Sequence, residues 1–95
     1  MVIDPKLLAM LGEESNIRIY PNPSSKQITI EYVLNEGEKG ELLVYDIYGR
    51  ERMKIDLSNT ISRVSADISH LELGIYLYRY MINGKNSTTG KLIKE

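Results

Sequence analysis

The sequence contains no cysteine, no phenylalanine and no tryptophan among its 95 residues. The absence of cysteine excludes disulfide bridges, thiolate metal sites and a cysteine nucleophile. Seven tyrosines are the only aromatic residues. The aromatic part of a core must therefore be tyrosine, and each buried hydroxyl needs a hydrogen-bond partner. A chain of this length has room for one compact domain.

The sequence also lacks an excess of charge of either sign and a long apolar run. Charged residues make up 26% of the chain and its net charge is -1, which provides neither the basic stripe of a nucleic-acid-binding protein nor a polybasic membrane patch. No apolar run approaches the roughly 18 residues of a transmembrane helix. Met1 to Leu11 is too short for a secretory signal, and acidic at Asp4. If the parent protein is exported, we expect its signal to lie upstream.

The first 16 residues differ from the rest in pattern. Asp4 as N-cap with Pro5 at the first helical position is a helix start, and Leu7, Leu8 and Leu11 share one face of that helix. A helix of two turns is marginal on its own. We predict that residues 1–16 are a linker or the tail of an upstream cargo domain, with at most a helical turn.

From residue 17 onward, short stretches of alternating apolar and polar residues are separated by turn signals roughly every ten residues, as in strands. Because no helical pattern interrupts them, βαβ units are not expected. The pattern predicts an all-β domain over 17–95, a seven-stranded immunoglobulin-like β-sandwich. A barrel remains the alternative. The predicted strands are Ile17–Tyr20, Gln27–Leu34, Glu41–Tyr48, Glu51–Leu57, Ile61–Ile68, Gly74–Ile82 and Thr88–Ile93.

The sixth predicted strand has two different faces. Tyr76, Tyr78 and Tyr80 lie on one side and Arg79 lies on the other. Since an unpaired buried arginine is costly, we expect the tyrosines to face inward. One of them is expected to bond back to the chain as a tyrosine corner. Ile75 and Leu77 would then form a contact patch on the outer face, or be covered by flanking loops.

Convergent catalytic groups are not recognisable in the sequence. The single histidine, His70, has no partner at a catalytic spacing, and such a loop histidine is usually solvated. Asp46, Asp56 and Asp67 end or interrupt strands, where a short carboxylate caps a turn. We therefore predict no enzymatic activity, no cofactor, no metal and no small-molecule substrate.

Five motifs, in this order and at this spacing, resemble the type A C-terminal sorting domain of the type IX (Por) secretion system of Bacteroidetes-type bacteria. The resemblance covers Ile17 to Glu95. The motifs are Tyr20-Pro-Asn-Pro-Ser24, Val44-Tyr-Asp-Ile-Tyr-Gly-Arg50, Asp67-Ile-Ser69, Leu73-Gly-Ile-Tyr-Leu-Tyr78 and Gly90-Lys-Leu-Ile-Lys94.

The resemblance implies a non-catalytic secretion signal. Cargo of this family enters the periplasm with an N-terminal signal and crosses the outer membrane through the type IX translocon, so its location is secreted or cell-surface. The implied partners are the translocon, a surface sortase and an upstream cargo domain in the same chain. Sortase cleavage falls in the linker before the sandwich, which suggests Leu11 to Asn16 here.

The motif residues divide into two groups by expected role. Seven are expected mainly to make the fold: Pro21, Asn22, Pro23, Asp46, Gly49, Gly74 and Tyr76. The candidates for direct recognition are Lys91, Leu92, Ile93, Lys94 and Glu95 with the terminal carboxylate. A last strand at a sheet edge offers unpaired N–H and C=O groups to a partner strand. The alternative is that its lysines only protect the edge from aggregation.

Two other functions remain open at this point. One is a carbohydrate-binding or adhesive sandwich of a secreted hydrolase, although such modules usually present exposed Trp or Tyr platforms and Trp is absent. The other is an immunoglobulin-like structural spacer.

Overall fold

The structure is a computed structural model and describes residues 17–59 and 61–95. These residues form seven strands and no helix, and the predicted helical turn in residues 1–16 lies outside them. The strands are β1 (Ile17–Tyr20), β2 (Gln27–Tyr32), β3 (Gly40–Tyr45), β4 (Glu51–Leu57), β5 (Arg63–Asp67), β6 (Gly74–Ile82) and β7 (Lys85–Lys94).

The described strands make two separate antiparallel sheets. One has the order β1-β2-β5 and the other the order β4-β3-β6-β7. Buried side chains from both sheets form one apolar cluster. The predicted all-β immunoglobulin-like sandwich is confirmed, and the barrel alternative is wrong because the two sheets do not close on each other.

Three predicted strands extend too far into the neighbouring turns. β2 ends at Tyr32 rather than Leu34, β3 ends at Tyr45 rather than Tyr48, and β5 spans Arg63–Asp67 rather than Ile61–Ile68. The apolar residues beyond these ends made the strand patterns look longer. Val33, Ile47, Tyr48 and Ile61 are instead exposed.

The last strand is longer than predicted, because it begins at Lys85 rather than Thr88. The polar stretch Lys85 to Ser87 has no strand alternation, but the preceding turn fixes its pairing. Asn83 and Gly84 have positive φ values of 52° and 79°, the conformation of a tight type I′ hairpin. Ile82 therefore pairs with Lys85 at once.

Tyrosines supply the aromatic part of the core, as predicted. Tyr80 is fully buried and its hydroxyl donates to the Val33 carbonyl over 2.9 Å. Tyr32 donates to the Ser58 carbonyl over 2.7 Å. Tyr76 donates to the Glu72 carbonyl, four residues upstream, over 2.7 Å, which confirms the predicted tyrosine corner. Each of these three buried hydroxyls therefore has a partner.

Candidate functional site: the closing strand and the loop that covers it

The closing strand β7 lies at an edge of the four-stranded sheet. Side chains alternate along it, so Leu92 and Lys94 are buried while Lys91 is exposed and Ile93 half-buried. The five residues predicted for recognition are thus adjacent in sequence but divided between two faces. Leu92 belongs to the core, and only Lys91, Ile93 and the exposed Glu95 present side chains to a partner.

The side-chain amide of Asn22 bonds to the outer edge of β7. Its Nδ2 donates to the Lys91 carbonyl over 2.7 Å, and its Oδ1 accepts from the Ile93 N–H over 2.9 Å. One donor and one acceptor satisfy two successive edge groups, as a peptide unit of a neighbouring strand would. Asn22 therefore acts as a short substitute for a paired strand.

Ser24 continues the same contact by its backbone. Its N–H donates to the Ile93 carbonyl over 3.0 Å, and its carbonyl accepts from the Glu95 N–H over 2.9 Å. The Ser24 hydroxyl donates to the Gln27 carbonyl over 2.7 Å and the residue is buried. The loop from Pro21 to Ser24, which belongs to the turn between β1 and β2, thereby joins one sheet to the edge of the other.

These hydrogen bonds correct the expectation that the end of β7 offers free backbone groups. The carbonyl of Lys91, both backbone groups of Ile93 and the N–H of Glu95 all have partners. Further back, Thr89 lies opposite Arg79 with its backbone directed to the same outer side by the antiparallel alternation. No strand of the described residues pairs with β7 on that side, so the open part of the edge is around Thr89.

Gly90 explains why the last motif begins with glycine. It lies directly opposite Tyr78 in the β6–β7 register. A methyl group built on Gly90 would overlap the Cζ and hydroxyl of the Tyr78 ring. The ring therefore covers the backbone of Gly90, which only a residue without a side chain permits.

Asp46 organises the turn between β3 and β4. Its Oδ1 accepts from the backbone N–H groups of Tyr48 and Arg50, each over 2.9 Å, and its Oδ2 accepts from the Arg50 guanidinium over 2.7 Å. Burial raises the pKa of Asp46, but these N–H groups and the Arg50 charge outweigh burial and hold that pKa below its ordinary value. Gly49 has a φ of 84° and completes the turn.

Gly74 and Tyr76 define the entry to β6. Gly74 has a φ of 140° and nothing lies within 4 Å of where its Cβ would be. It therefore permits a sharp entry into the strand, and not a close approach of another group. Tyr76 fixes that entry through its bond to Glu72. Both residues therefore shape the start of β6.

Sequence reasoning missed the contact between the loop of the first motif and the last motif. Asn22 and Lys91 are 69 positions apart, and neither local periodicity nor turn chemistry links them. The only signal in the sequence is a side-chain amide held between two prolines, Pro21 and Pro23, where the rigid backbone fixes the direction of that amide.

A catalytic arrangement is not found in the part of the chain that the structure describes. There, no group of three or more His, Cys, Asp or Glu side chains could hold a metal ion, and no helix has the length and apolarity to cross a membrane. A cleft of about 520 Å³ beside β1 and β2 contains Arg18, Glu31 and Arg63. Both arginines form ion pairs with Glu31, at 3.6 Å and 2.6 Å, so these charges support each other across the sheet.

Comparison with known proteins agrees with the motifs. The family model for the secretion system C-terminal sorting domain matches residues 18–95. Domains of this family are sorting signals of the type IX secretion system. The chain belongs to this family. A search of the curated proteins finds no match.

As a type IX sorting domain, the chain marks a protein that is exported to the cell surface or secreted. The family is one of non-catalytic signals, and its membership implies an interaction with the type IX machinery and an upstream cargo in the parent chain. The match supports neither a carbohydrate-binding module nor an adhesive one. The hydrogen bonds from Asn22 and Ser24 to the edge of β7 are thus a feature of a sorting domain.

Proposed function

We propose that residues 17–95 direct an upstream cargo across the outer membrane by binding the type IX translocon, and that residues 1–16 are the linker to that cargo. The observation that carries this proposal is the match of the sorting-domain model to residues 18–95. The translocon is proposed to recognise the surface at the end of β7, the edge strand of the four-stranded sheet.

Within that surface, the exposed Lys91 and Glu95 and the half-buried Ile93 make direct contact with the translocon. Leu92 and Lys94 act indirectly, because their burial fixes the position of the strand. Removing the buried Leu92 side chain would cost about 2–5 kcal/mol, so its loss affects export through unfolding. This division separates contact residues from folding residues in one short motif.

After export, a surface sortase removes the domain by cleaving in the linker, within residues 11–16. A bond upstream of β1, which begins at Ile17, separates cargo and sandwich without cutting any of the seven described strands. The domain then has no part in the activity of the cargo.

The test is to fuse the 95-residue chain to the C-terminus of a periplasmic reporter in a strain with a type IX system. We expect the reporter outside the cell. The controls are the reporter alone and the same fusion in a strain without the translocon, and both must remain periplasmic. A stable, folded fusion that stays in the periplasm of the competent strain contradicts the proposal.

A second comparison separates contact from folding. Lys91→Ala should lower export while the midpoint of thermal unfolding stays within a few degrees of that of the unchanged chain, since surface substitutions rarely change stability by more than about 0.5 kcal/mol. Leu92→Ala should lower both. If Lys91→Ala, Ile93→Ala and Glu95→Ala are all exported normally, these three residues are not the contact residues.

A further inference from the structure

Five large apolar side chains are exposed together at one end of the four-stranded sheet. They come from the β3–β4 turn and from the first half of β6 with the residue before it. Their exposed fractions are 68% for Ile47, 78% for Tyr48, 75% for Leu73, 49% for Ile75 and 47% for Leu77. Ile47, Tyr48, Leu73 and Ile75 line one shallow cleft of about 160 Å³, so the turn and the strand form one surface, which we call the β6 patch.

The β6 patch continues onto the closing strand. The register of β6 and β7 places Ile75 opposite Ile93 and Leu77 opposite Lys91 on the same outer face. On the other side Leu77 pairs with Tyr45 of β3. Two of the three contact residues proposed above, Lys91 and Ile93, therefore lie beside the patch.

Two cations lie beside Leu77 on this face. Arg79 follows it on β6 and stacks on the ring of Tyr45, with 5.5 Å from the guanidinium carbon to the ring centre. Lys91 lies opposite it. Neither cation has a carboxylate within 4.0 Å in residues 17–59 and 61–95, whereas Arg50, at the turn, is paired with Asp46 at 2.7 Å. The strand half of the patch is therefore apolar with an uncompensated positive border.

We propose that the β6 patch is the docking surface for a protein of the export machinery that presents apolar side chains beside carboxylates. This inference rests on the proposed function and names the chemistry of the partner. Contiguous exposed apolar surface with a charged rim is typical of a protein interface. Carboxylates on the partner would complement Arg79 and Lys91 and leave the apolar centre to be desolvated.

A second copy of this chain fits the patch less well. A twofold contact would bring the same patch to itself and place the Arg79 and Lys91 side chains of both copies at one interface. Like charges brought together there oppose association. The partner is therefore a different protein with the opposite charge.

The apolar half of the proposal is tested in the reporter fusion with Tyr48→Ser and Leu77→Ser, singly and together. Export is expected to fall by about tenfold or more in the double variant, because a buried interface centre carries most of the binding energy. The matched controls are Val33→Ser and Ile61→Ser. Both change side chains that are 60% and 57% exposed and lie outside the patch, so export should be unchanged. Thermal unfolding of each purified fusion shows that the sandwich remains folded.

The charged half is tested with Arg79→Glu and Lys91→Glu. Each reversal places a carboxylate opposite the partner's carboxylates, and export should fall more than with the corresponding alanine variant. Lys85→Glu makes the same reversal at an exposed lysine at the other end of β7, and normal export is expected. Equal losses from Lys85→Glu and Lys91→Glu would mean that net charge matters and the position does not, which overturns the proposal.

The outcomes separate this inference from the proposed function. If the unchanged chain and the folded patch variants are all exported normally, the β6 patch is not the docking surface, and the sorting function still stands. Periplasmic retention of the unchanged chain overturns both. Concentration-dependent dimers lost on Leu77→Ser would assign the patch to a second copy. Binding to vesicles of phosphatidylethanolamine and phosphatidylglycerol that is lost on Arg79→Glu would assign it to an anionic lipid surface. Either result also overturns the proposal.

Discussion

At the scale of single residues, the glycine of the last motif, Gly90, is packed against a tyrosine. The ring of Tyr78 on β6 covers Gly90 on the neighbouring strand β7, so the conformations of the two residues depend on each other. Burial also raises the pKa of Tyr78, consistent with a ring held against the sheet. The pairing of an aromatic ring with a glycine in a neighbouring strand compensates for the missing side chain.

Gly90→Ala is expected to lower the free energy of unfolding by about 1–3 kcal/mol, because the added methyl group overlaps the Tyr78 ring and forces the ring or the strand to move. Chemical denaturation measures the change. In a Tyr78→Ala background the ring is gone, and the same Gly90→Ala substitution should cost less. Equal costs in both backgrounds would show that the overlap does not determine the stability of this pair.

At the scale of elements, the edge of β7 is completed by a loop and not by a strand. Four hydrogen bonds from Asn22 and Ser24 cover three successive outward positions. An edge managed in this way is protected from uncontrolled pairing with other chains. The lysines have a smaller part in that protection than their sequence suggests, since Lys94 is buried.

Asn22→Ala is expected to increase the hydrogen-exchange rate of the Ile93 amide, because that N–H then loses its acceptor, the Oδ1 of Asn22. Exchange measured by NMR at residue resolution gives the rates. The reference is the amide of Leu92, which belongs to the β6–β7 ladder and should keep its rate. If Leu92 accelerates as much as Ile93, the substitution has loosened the whole strand and the local interpretation is wrong.

The number and order of the strands are predictable from the sequence, and the contacts between distant strands and loops are not. The alternation of Tyr76, Tyr78 and Tyr80 against Arg79 correctly orients β6, because burying an arginine without a partner is costly. The dipeptide Asn83-Gly84 is a typical hairpin signal, and it forms the turn between β6 and β7. Nothing local, however, connects Asn22 to Lys91, since side-chain hydrogen bonds between distant segments depend on the tertiary packing of both.

At the scale of the whole molecule, buried tyrosine hydroxyls tie loops to the core. The Tyr80 hydroxyl on β6 donates to the carbonyl of Val33, 47 positions away. Burial, with smaller effects from Glu38 and Tyr32, raises the pKa of Tyr80 to about 12. The folded state therefore holds this proton more tightly than the unfolded chain, in which the pKa of a tyrosine is about 10.

Stability is therefore expected to be full below about pH 10 and to fall as the pH rises through about 12, because the unfolded chain loses the Tyr80 proton first. Urea denaturation at a series of pH values measures this fall. In Tyr80→Phe, stability near neutral pH should be about 1–3 kcal/mol lower, since the Val33 carbonyl loses its donor, and the alkaline fall should be smaller. Tyr48→Phe, at a 78% exposed position, should behave as the unchanged chain. An alkaline fall of the same size in Tyr80→Phe would assign it to other groups.

The bonds from Asn22 and Ser24 to β7 also have a consequence for how the domain is made. They join residues 69 to 71 positions apart, so a ribosome releases one half of this contact long before the other. Until the last strand has emerged, the loop has nothing to hold, and a short peptide copying residues 91–95 lacks the loop altogether. The folded signal can therefore form only after synthesis of the whole domain, so that a partly made domain is not ready for export.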